Sequence, residues 1–161
     1  MHKVNELLGR DILGQDTGEK RGTVKNLLFD EATTRVVALV VDGGGFFGGT
    51  KTVRWEYVVN VGDVVMLAGG APLDNPKEDP EIDALRGRQH HITGTNIVTE
   101  GGEKVGEAAD VLLDDAGVVR AYEVKRGVIR DLSGREQVPA EDVISSGPDA
   151  IIIRNLPETR P

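Results

Sequence analysis

The chain has 161 residues, of which 39% are hydrophobic and 29% charged, a composition typical of a soluble globular protein with one ordinary domain or two very small ones. Its formal net charge of −8 argues against general DNA or RNA binding, and the absence of Cys excludes disulfides, thiolate metal sites and cysteine nucleophiles. The first residues contain no apolar segment typical of a secretion signal or a membrane span, so we expect a cytoplasmic protein without a membrane span.

Residues 1–68 contain short apolar runs separated by turn residues, a pattern that predicts β-strands joined by tight turns. The segment Gly18–Gly22 predicts a sharp reversal in which the glycines adopt positive φ and the residues between them stay solvated. A second tight turn is predicted at Gly62-Asp63. In chain order, the predicted strands carry Val24, Leu27 and Phe29, then Val36–Val41, then Val53, and finally Val64–Leu67.

The run Val36–Val41 contains no polar residue, although a strand of a small barrel needs only one apolar face. We therefore expect its second face to be covered, either by the other half of the chain or a second chain, or alternatively by a loop. The candidate contacts for a protein partner are Val40, Phe46, Phe47 and Trp55.

The segment Asp42–Gly49, with the sequence DGGGFFGG, is the nearest approach to a phosphate-binding loop. Such a loop requires a Lys followed by Ser or Thr at the start of a helix, whereas here Thr50-Lys51 has the reverse order and leads into a predicted strand. We therefore expect no phosphate site. The two phenylalanines of this segment either pack into the mouth of a barrel or stay available to a partner.

Residues 69–91 are rich in Gly, Pro and acidic residues and form the predicted linker. A short helix is predicted within it, at about residues 79–86, from its capping signals and apolar spacing. We expect this helix to dock on a barrel, because its two apolar residues share one face. The signals are Asp79 as N-cap, Pro80 at the first position, Ile82 and Leu85 on the apolar face, and Gly87 as terminator.

The second half of the chain repeats the first. Gly102–Asp114 agrees with Gly18–Asp30 at six of thirteen positions, and the correspondence continues downstream at nearly constant spacing, which identifies a true repeat. Residues 92–157 are therefore predicted to form a second unit with the same strand plan. The downstream matches include Ala38 with Ala121, Val53 with Val138, Glu56 with Glu141, Val58 with Val143, and Gly62 with Gly147.

Each repeat holds five or six short strands, too few residues for a large sandwich, and a flat sheet of that size would leave its edges open. Closure into a small barrel removes this problem. The sequence therefore predicts an all-β fold of two tandem small β-barrels, residues 1–68 and 92–157, joined by the linker with its short helix.

Candidate catalytic and metal-binding groups are few. The side chains of His90 and His91 point apart because they are neighbours, and no Cys or patterned carboxylates accompany them. A group of acidic residues in the second unit lacks the spacing of an EF-hand loop, so a solvated turn is expected there. We predict no catalytic, cofactor-binding or metal-binding residues. The acidic group consists of Glu107, Asp110, Asp114 and Asp115.

The order of these features resembles the PRC-barrel family, the domain found in the H subunit of photosynthetic reaction centres and at the C-terminal end of a ribosome-maturation factor. The resemblance implies a non-catalytic module used for contact with proteins. Arg54 departs from the family pattern, which more often has Pro, as at Pro139, and Thr93 stands opposite Gly9. The segments that carry the resemblance are Leu8-Gly9-Arg10, GTVKNLLFD, RVVALVV, GGGFFGG and TVRWEYV in the first unit, and GEAADVLLD and VPAEDVISSGPDAIII in the second.

We therefore predict a protein without enzymatic activity that serves as a protein-binding or scaffolding module, engaging a partner protein or a second copy of itself. An alternative is an accessory factor in ribosome or RNA maturation, which would require a local basic face. A third reading is a small-ligand or enzymatic site between the barrels, which would require a deep polar pocket. The candidate basic residues for the RNA alternative are Arg126, Arg130 and Arg135.

Overall fold

The computed structural model describes residues 1–43, 49–87, 92–125 and 136–155. Its contacts divide the chain into two compact units. Unit 1 comprises Met1–Gln89 together with Leu113–Val118, and unit 2 comprises His90–Leu112 together with Val119–Pro161. The predicted linker is therefore part of unit 1 as far as Gln89.

Unit 1 is built from short strands and two short helices. Its elements are β1 (His2–Lys3), α1 (Val4–Leu7), β2 (Asp11–Gly14), β3 (Lys20–Phe29), β4 (Val36–Asp42), β5 (Thr50–Arg54), β6 (Val58–Val61), β7 (Val65–Leu67) and α2 (Pro80–Gly87), with 3-10 turns at Trp55–Tyr57 and Pro76–Glu78. Six of these strands form a sheet in the order β5-β4-β3-β2-β7-β6. Neighbours are antiparallel except β2 and β7, a parallel pair that joins the start of the unit to its last strand.

Unit 2 repeats this plan. Its elements are β8 (Asn96–Thr99), β9 (Lys104–Leu113), β10 (Val119–Lys125), β11 (Glu136–Pro139), β12 (Val143–Ser146) and β13 (Ala150–Ile153), with a 3-10 turn at Ala140–Asp142. They follow the order β11-β10-β9-β8-β13-β12, and β8 and β13 form the parallel pair. The predicted repeat and the predicted all-β fold of two tandem barrel units with a short helix between them are confirmed.

Two pairs of glycines help to explain why the segment Gly18–Asp30 recurs at Gly102–Asp114. Gly18 and Gly102 have φ of 69° and 89°, as predicted for the turn. Gly22 and Gly106 instead lie inside the strands β3 and β9, where a neighbouring strand approaches closely. A Cβ on Gly22 would lie 2.7 Å from the carbonyl oxygen of Asp42, and the equivalent Cβ in unit 2 would lie 2.7 Å from that of Lys125. Close strand packing therefore requires the second glycine of each pair, and Gly22 also has a positive φ of 140°, as predicted.

Helix α2 covers the second face of β4. All residues of Val36–Val41 are buried, and Val40 belongs to an apolar cluster that includes Ile82 and, at its margin, Leu85. The expectation that the face is covered is correct, but the proposed covers, another half of the chain, a second chain or a loop, were wrong for this cluster. The apolar face of the linker helix α2, which belongs to the same unit, covers this face of β4, in agreement with the predicted docking of the helix on a barrel.

The rest of the linker is also fastened to unit 1. The backbone of Asp74 exchanges two hydrogen bonds of 2.8 Å with the backbone of Thr52 in β5. Nη2 of Arg21 donates to the carbonyl oxygen of Ala71 at 3.1 Å. These contacts hold the chain beside β5 at the edge of the sheet before α2 begins, and β5 is the neighbour of β4, the strand that the helix covers.

Candidate functional site

A group of charged side chains fastens α2 to the sheet. Arg54, the last residue of β5, makes a bidentate contact with Asp79 in which Nε and Nη2 lie 3.0 and 2.8 Å from Oδ2. Nη2 also lies 2.8 Å from Oε1 of Glu81. Oδ1 of Asp79 accepts hydrogen bonds from the backbone N–H groups of Glu81 and Ile82, at 3.1 and 3.3 Å, so this carboxylate caps the helix as predicted.

The departure of Arg54 from the family pattern has a structural reason. Its backbone, with φ −70° and ψ 145°, is almost the same as that of Pro139, with φ −62° and ψ 145°. The two residues pair with equivalent partners, Ala38 and Ala121. The backbone at this position thus suits Pro in both units, and the Arg side chain adds the contact to α2.

These contacts shift the ionisation of both partners. Burial disfavours the carboxylate of Asp79, but the hydrogen bonds from Arg54 and from the N–H groups of Ile82 and Glu81 outweigh it and lower the pKa of Asp79 below 3.8. The pKa of Arg54 is raised by its bonds to Glu81 and Asp79. Both shifts favour the charged pair and describe a structural ion pair at the start of a helix.

The acidic residues of the repeated segment also have structural partners. In unit 1 the carboxylate of Asp30 accepts from the backbone N–H of Thr34 at 2.6 Å and from its hydroxyl. In the second copy of the repeat, Oδ1 of Asp114 accepts from the N–H groups of Ala116 and Val118, both at 2.9 Å. Each Asp therefore closes the turn after its strand by a local hydrogen-bonded geometry that suits Asp.

The other three members of the acidic group differ in their surroundings. Asp110 is 4% exposed, and its Oδ1 accepts from the N–H of Val111 at 2.8 Å. Asp115 is exposed and lies 2.7 Å from Nε2 of His2. Glu107 is exposed on β9. In the described ranges, no three His, Asp or Glu side chains converge in a way that could hold a metal ion.

The two predicted partner-contact residues that the structure describes are both buried. Val40 and Trp55 are each only 7% exposed. Val40 lies in the cluster under α2. Trp55 packs against Gly117, where an added Cβ would lie 2.7 Å from the indole Nε1. Both side chains pack in the interior of unit 1. Contacts within the unit therefore occupy the surfaces that were predicted to contact a partner.

The remaining predicted residues lie outside the described ranges. They are Phe46, Phe47, His90, His91, Arg126, Arg130 and Arg135. Within the ranges that are described, no helix combines the length and the apolar character needed to cross a membrane.

Sequence reasoning missed an exposed aliphatic residue on the strand that ends the strand order of each sheet, β6 or β12. Val59 on β6 is 41% exposed, and Ile144 on β12 is 54% exposed. The two residues are equivalent in the repeat, since each follows one member of the matched pair Val58 and Val143. The signal was present in that alignment, but only the strand order shows that β6 and β12 end their sheets.

The pairing of these strands is irregular at the same position. The register between β6 and β7 shifts between Val58 and Asn60, and the register between β12 and β13 shifts between Val143 and Ser145. Val59 and Ile144 therefore lie at a bulge, a feature that redirects a side chain away from the regular ladder. The same local geometry thus presents an aliphatic side chain to solvent in both units.

Comparison with known families agrees with the strand order. The model of the PRC-barrel domain matches the chain twice, over residues 1–79 and 87–160. The chain belongs to the PRC-barrel family. The two PRC-barrel matches correspond to the two sheets, so the tandem form inferred from the repeat is confirmed.

A relative shares the PRC-barrel region over the length of about one unit. An uncharacterized protein of Clostridium acetobutylicum is 27% identical over 77 residues, which are 45% of this chain and 88% of that protein. The matched segment is nearly as long as the first PRC-barrel match, residues 1–79. The relative therefore corresponds in size to a single PRC-barrel unit.

Proposed function

We propose that this PRC-barrel protein has no enzymatic activity and acts as a protein-binding module. It contacts its partner through β6 and β12, the strands at one end of each sheet. One observation carries the proposal: Val59 and Ile144 are exposed at the same bulge of equivalent strands. Exposed aliphatic side chains cost solvation free energy, and a recurring exposed position is a candidate contact point.

The polar groups at the start of α2 and at the two turns support this reading, because each has a structural role. Arg54 and Asp79 fasten α2, and Asp30 and Asp114 close turns. In contrast, Val59 and Ile144 leave 41% and 54% of their surface exposed to solvent. The proposal includes a cytoplasmic location, which fractionation of the source cells would test.

The test is affinity capture from native lysate with three forms of the chain. The wild type is compared with the double variant Val59→Ser/Ile144→Ser and with Leu8→Ser. Leu8 is a matched control, since it is 41% exposed, the same as Val59, but lies outside β6 and β12. We expect a partner that the wild type and Leu8→Ser retain and the double variant loses. Capture that is equal for all three forms would contradict the proposal.

A second arm addresses the ribosome and RNA alternative. Labelled RNA is titrated with the wild type at low salt, where phosphate contacts to Lys and Arg are strongest. We expect no binding beyond that of a control protein of similar net charge. Salt-sensitive RNA binding would replace the protein-binding proposal with an accessory role in RNA maturation.

A further inference from the structure

The surroundings of the two exposed aliphatic residues are also equivalent. We use the name edge surface for each strand with its flanking turns. Both edge surfaces place an exposed carboxylate before the strand, an exposed aliphatic and an exposed neutral polar residue on it, and an exposed carboxylate after it. The residues are Glu56, Val59, Asn60 and Asp63 in unit 1, and Glu141, Ile144, Ser145 and Asp149 in unit 2.

The four carboxylates named above form no ion pair among the described residues, but each edge surface also carries one arginine. Arg10 donates to the carbonyl oxygen of Gly62 in unit 1. In unit 2, Nε of Arg154 lies 3.1 Å from Oδ1 of Asp142, and its Nη2 donates to the carbonyl oxygen of Glu141 at 2.8 Å. Each edge surface still has an exposed carboxylate on both sides of an apolar side chain and has more carboxylates than arginines, a pattern complementary to a basic partner.

The geometry also limits how a partner can bind. An edge strand can accept a further strand through its backbone, but a bulge interrupts the ladder and opposes such addition. The bulges at Val59 and Ile144 therefore favour recognition through side chains. A second copy of this chain would bring like charges together at two edge surfaces, which opposes self-association through them.

We propose that each edge surface binds a basic segment of a partner protein in which an aliphatic side chain lies between Lys or Arg residues. This inference rests on the proposed function and names the chemistry of the partner. The aliphatic side chain of the segment contacts Val59 or Ile144, and its cations pair with the flanking carboxylates. The pairing weakens with salt because the charges are exposed.

The experiment uses the full chain and a synthetic peptide with one leucine between pairs of lysines. Two further peptides replace the leucine by serine or the lysines by glutamates. Affinity is measured by calorimetry at low and at physiological salt, and the contact site is mapped from methyl chemical shifts of Val59 and Ile144. We expect binding of the first peptide only, with shifts at both methyl groups, and about tenfold weaker binding by Val59→Ser/Ile144→Ser.

Two charge variants separate a local site from attraction to an acidic protein. Each variant removes the same number of carboxylates from exposed positions. The edge variant carries Glu56→Gln, Asp63→Asn, Glu141→Gln and Asp149→Asn, and the control variant carries Glu6→Gln, Glu19→Gln, Glu103→Gln and Glu107→Gln. We expect the edge variant to lose most of the affinity and the control variant to keep it. Equal loss in both variants would show attraction to net charge alone and would overturn the inference.

The remaining outcomes distinguish this inference from the proposed function. If the peptide does not bind but lysate capture still depends on Val59 and Ile144, the basic partner is wrong and the proposed function stands. If neither depends on these residues, both fall. If light scattering shows a dimer that Val59→Ser/Ile144→Ser abolishes, the occupant is a second copy and the inference is overturned.

Discussion

The guanidinium of Arg54 and the carboxylate of Asp79 meet at the junction between the last residue of β5 and the first turn of α2, with Nη2 2.8 Å from Oδ2. The same carboxylate caps the helix through the N–H of Ile82. Asp79 therefore both caps α2 and fastens the helix to β5. The contact explains why unit 1 carries Arg where unit 2 carries Pro139.

Replacing Arg54 by Pro should loosen α2 without disturbing β5. The backbone of Arg54 already has φ −70°, which suits Pro, and Pro139 occupies the equivalent position in unit 2. We expect a loss of about 0.5–1 kcal/mol in the free energy of unfolding, the usual worth of a well-aligned ion pair near the surface. Hydrogen exchange of the α2 amides should quicken more than that of the amides of β4.

The control for this variant is Lys20→Ala. Lys20 pairs with Asp11 at 3.2 Å, but both side chains are about half exposed, and this ion pair joins β3 to β2. We expect the exchange of the α2 amides to be the same as in the wild type. Unchanged α2 protection in Arg54→Pro would contradict the fastening role of the guanidinium.

Acid should weaken unit 1 in part through Asp79. Its pKa is lower in the folded protein than the ordinary 3.8, so the folded state favours the carboxylate. This contribution to stability is fully present well above pH 3.8 and is lost as the pH falls through the folded-state pKa. Chemical denaturation at a series of pH values should show a smaller loss below pH 4 for Asp79→Asn than for the wild type, since Asn keeps a capping oxygen but does not titrate. Identical acid profiles would contradict the prediction.

The interior glycines of β3 and β9 should tolerate no side chain. Gly22→Ala and Gly106→Ala each place a Cβ 2.7 Å from a backbone carbonyl oxygen, so the neighbouring strand must shift. Gly22→Ala also places an alanine at φ 140°, a conformation that favours glycine. We expect each variant to lose about 1–3 kcal/mol of stability. Gly62→Ala is the matched control, since nothing lies within 4 Å of its Cβ and its φ is not positive. A melting temperature for Gly106→Ala equal to that of the control would show that β9 and β10 can separate at little cost.

The apolar face of α2 should be important for the stability of unit 1. Ile82 is 1% exposed in the cluster with Val40, so Ile82→Ala should cost about 2–4 kcal/mol, measured by urea denaturation. Leu85 is only partly buried, so Leu85→Ala should cost less. Val40→Glu should prevent stable folding of unit 1, because the charge would be buried beneath the helix. A loss in Leu85→Ala equal to that in Ile82→Ala would place the docking contact elsewhere on the helix.

Local rules account for the features that the sequence predicted correctly. The turn at Gly18 follows from the freedom of Gly at positive φ, and helix α2 follows from Asp79, Pro80 and the spacing of Ile82 and Leu85. The repeat then predicted the same order of strands for the second half of the chain. Each of these signals depends on residues close together in the chain.

The sequence by itself determined that the chain has two tandem all-β units with a short capped helix between them, because strand alternation, turn glycines and capping residues act over a few neighbouring positions. Only the tertiary structure decided that α2 covers Val40, that Arg54 reaches Asp79, that Gly106 is required by close strand approach, and that Val59 and Ile144 face solvent on terminal strands. Those relationships depend on which strands become neighbours in space. Strand order is set by the closure of the whole unit through its parallel pair, which no local pattern of residues specifies.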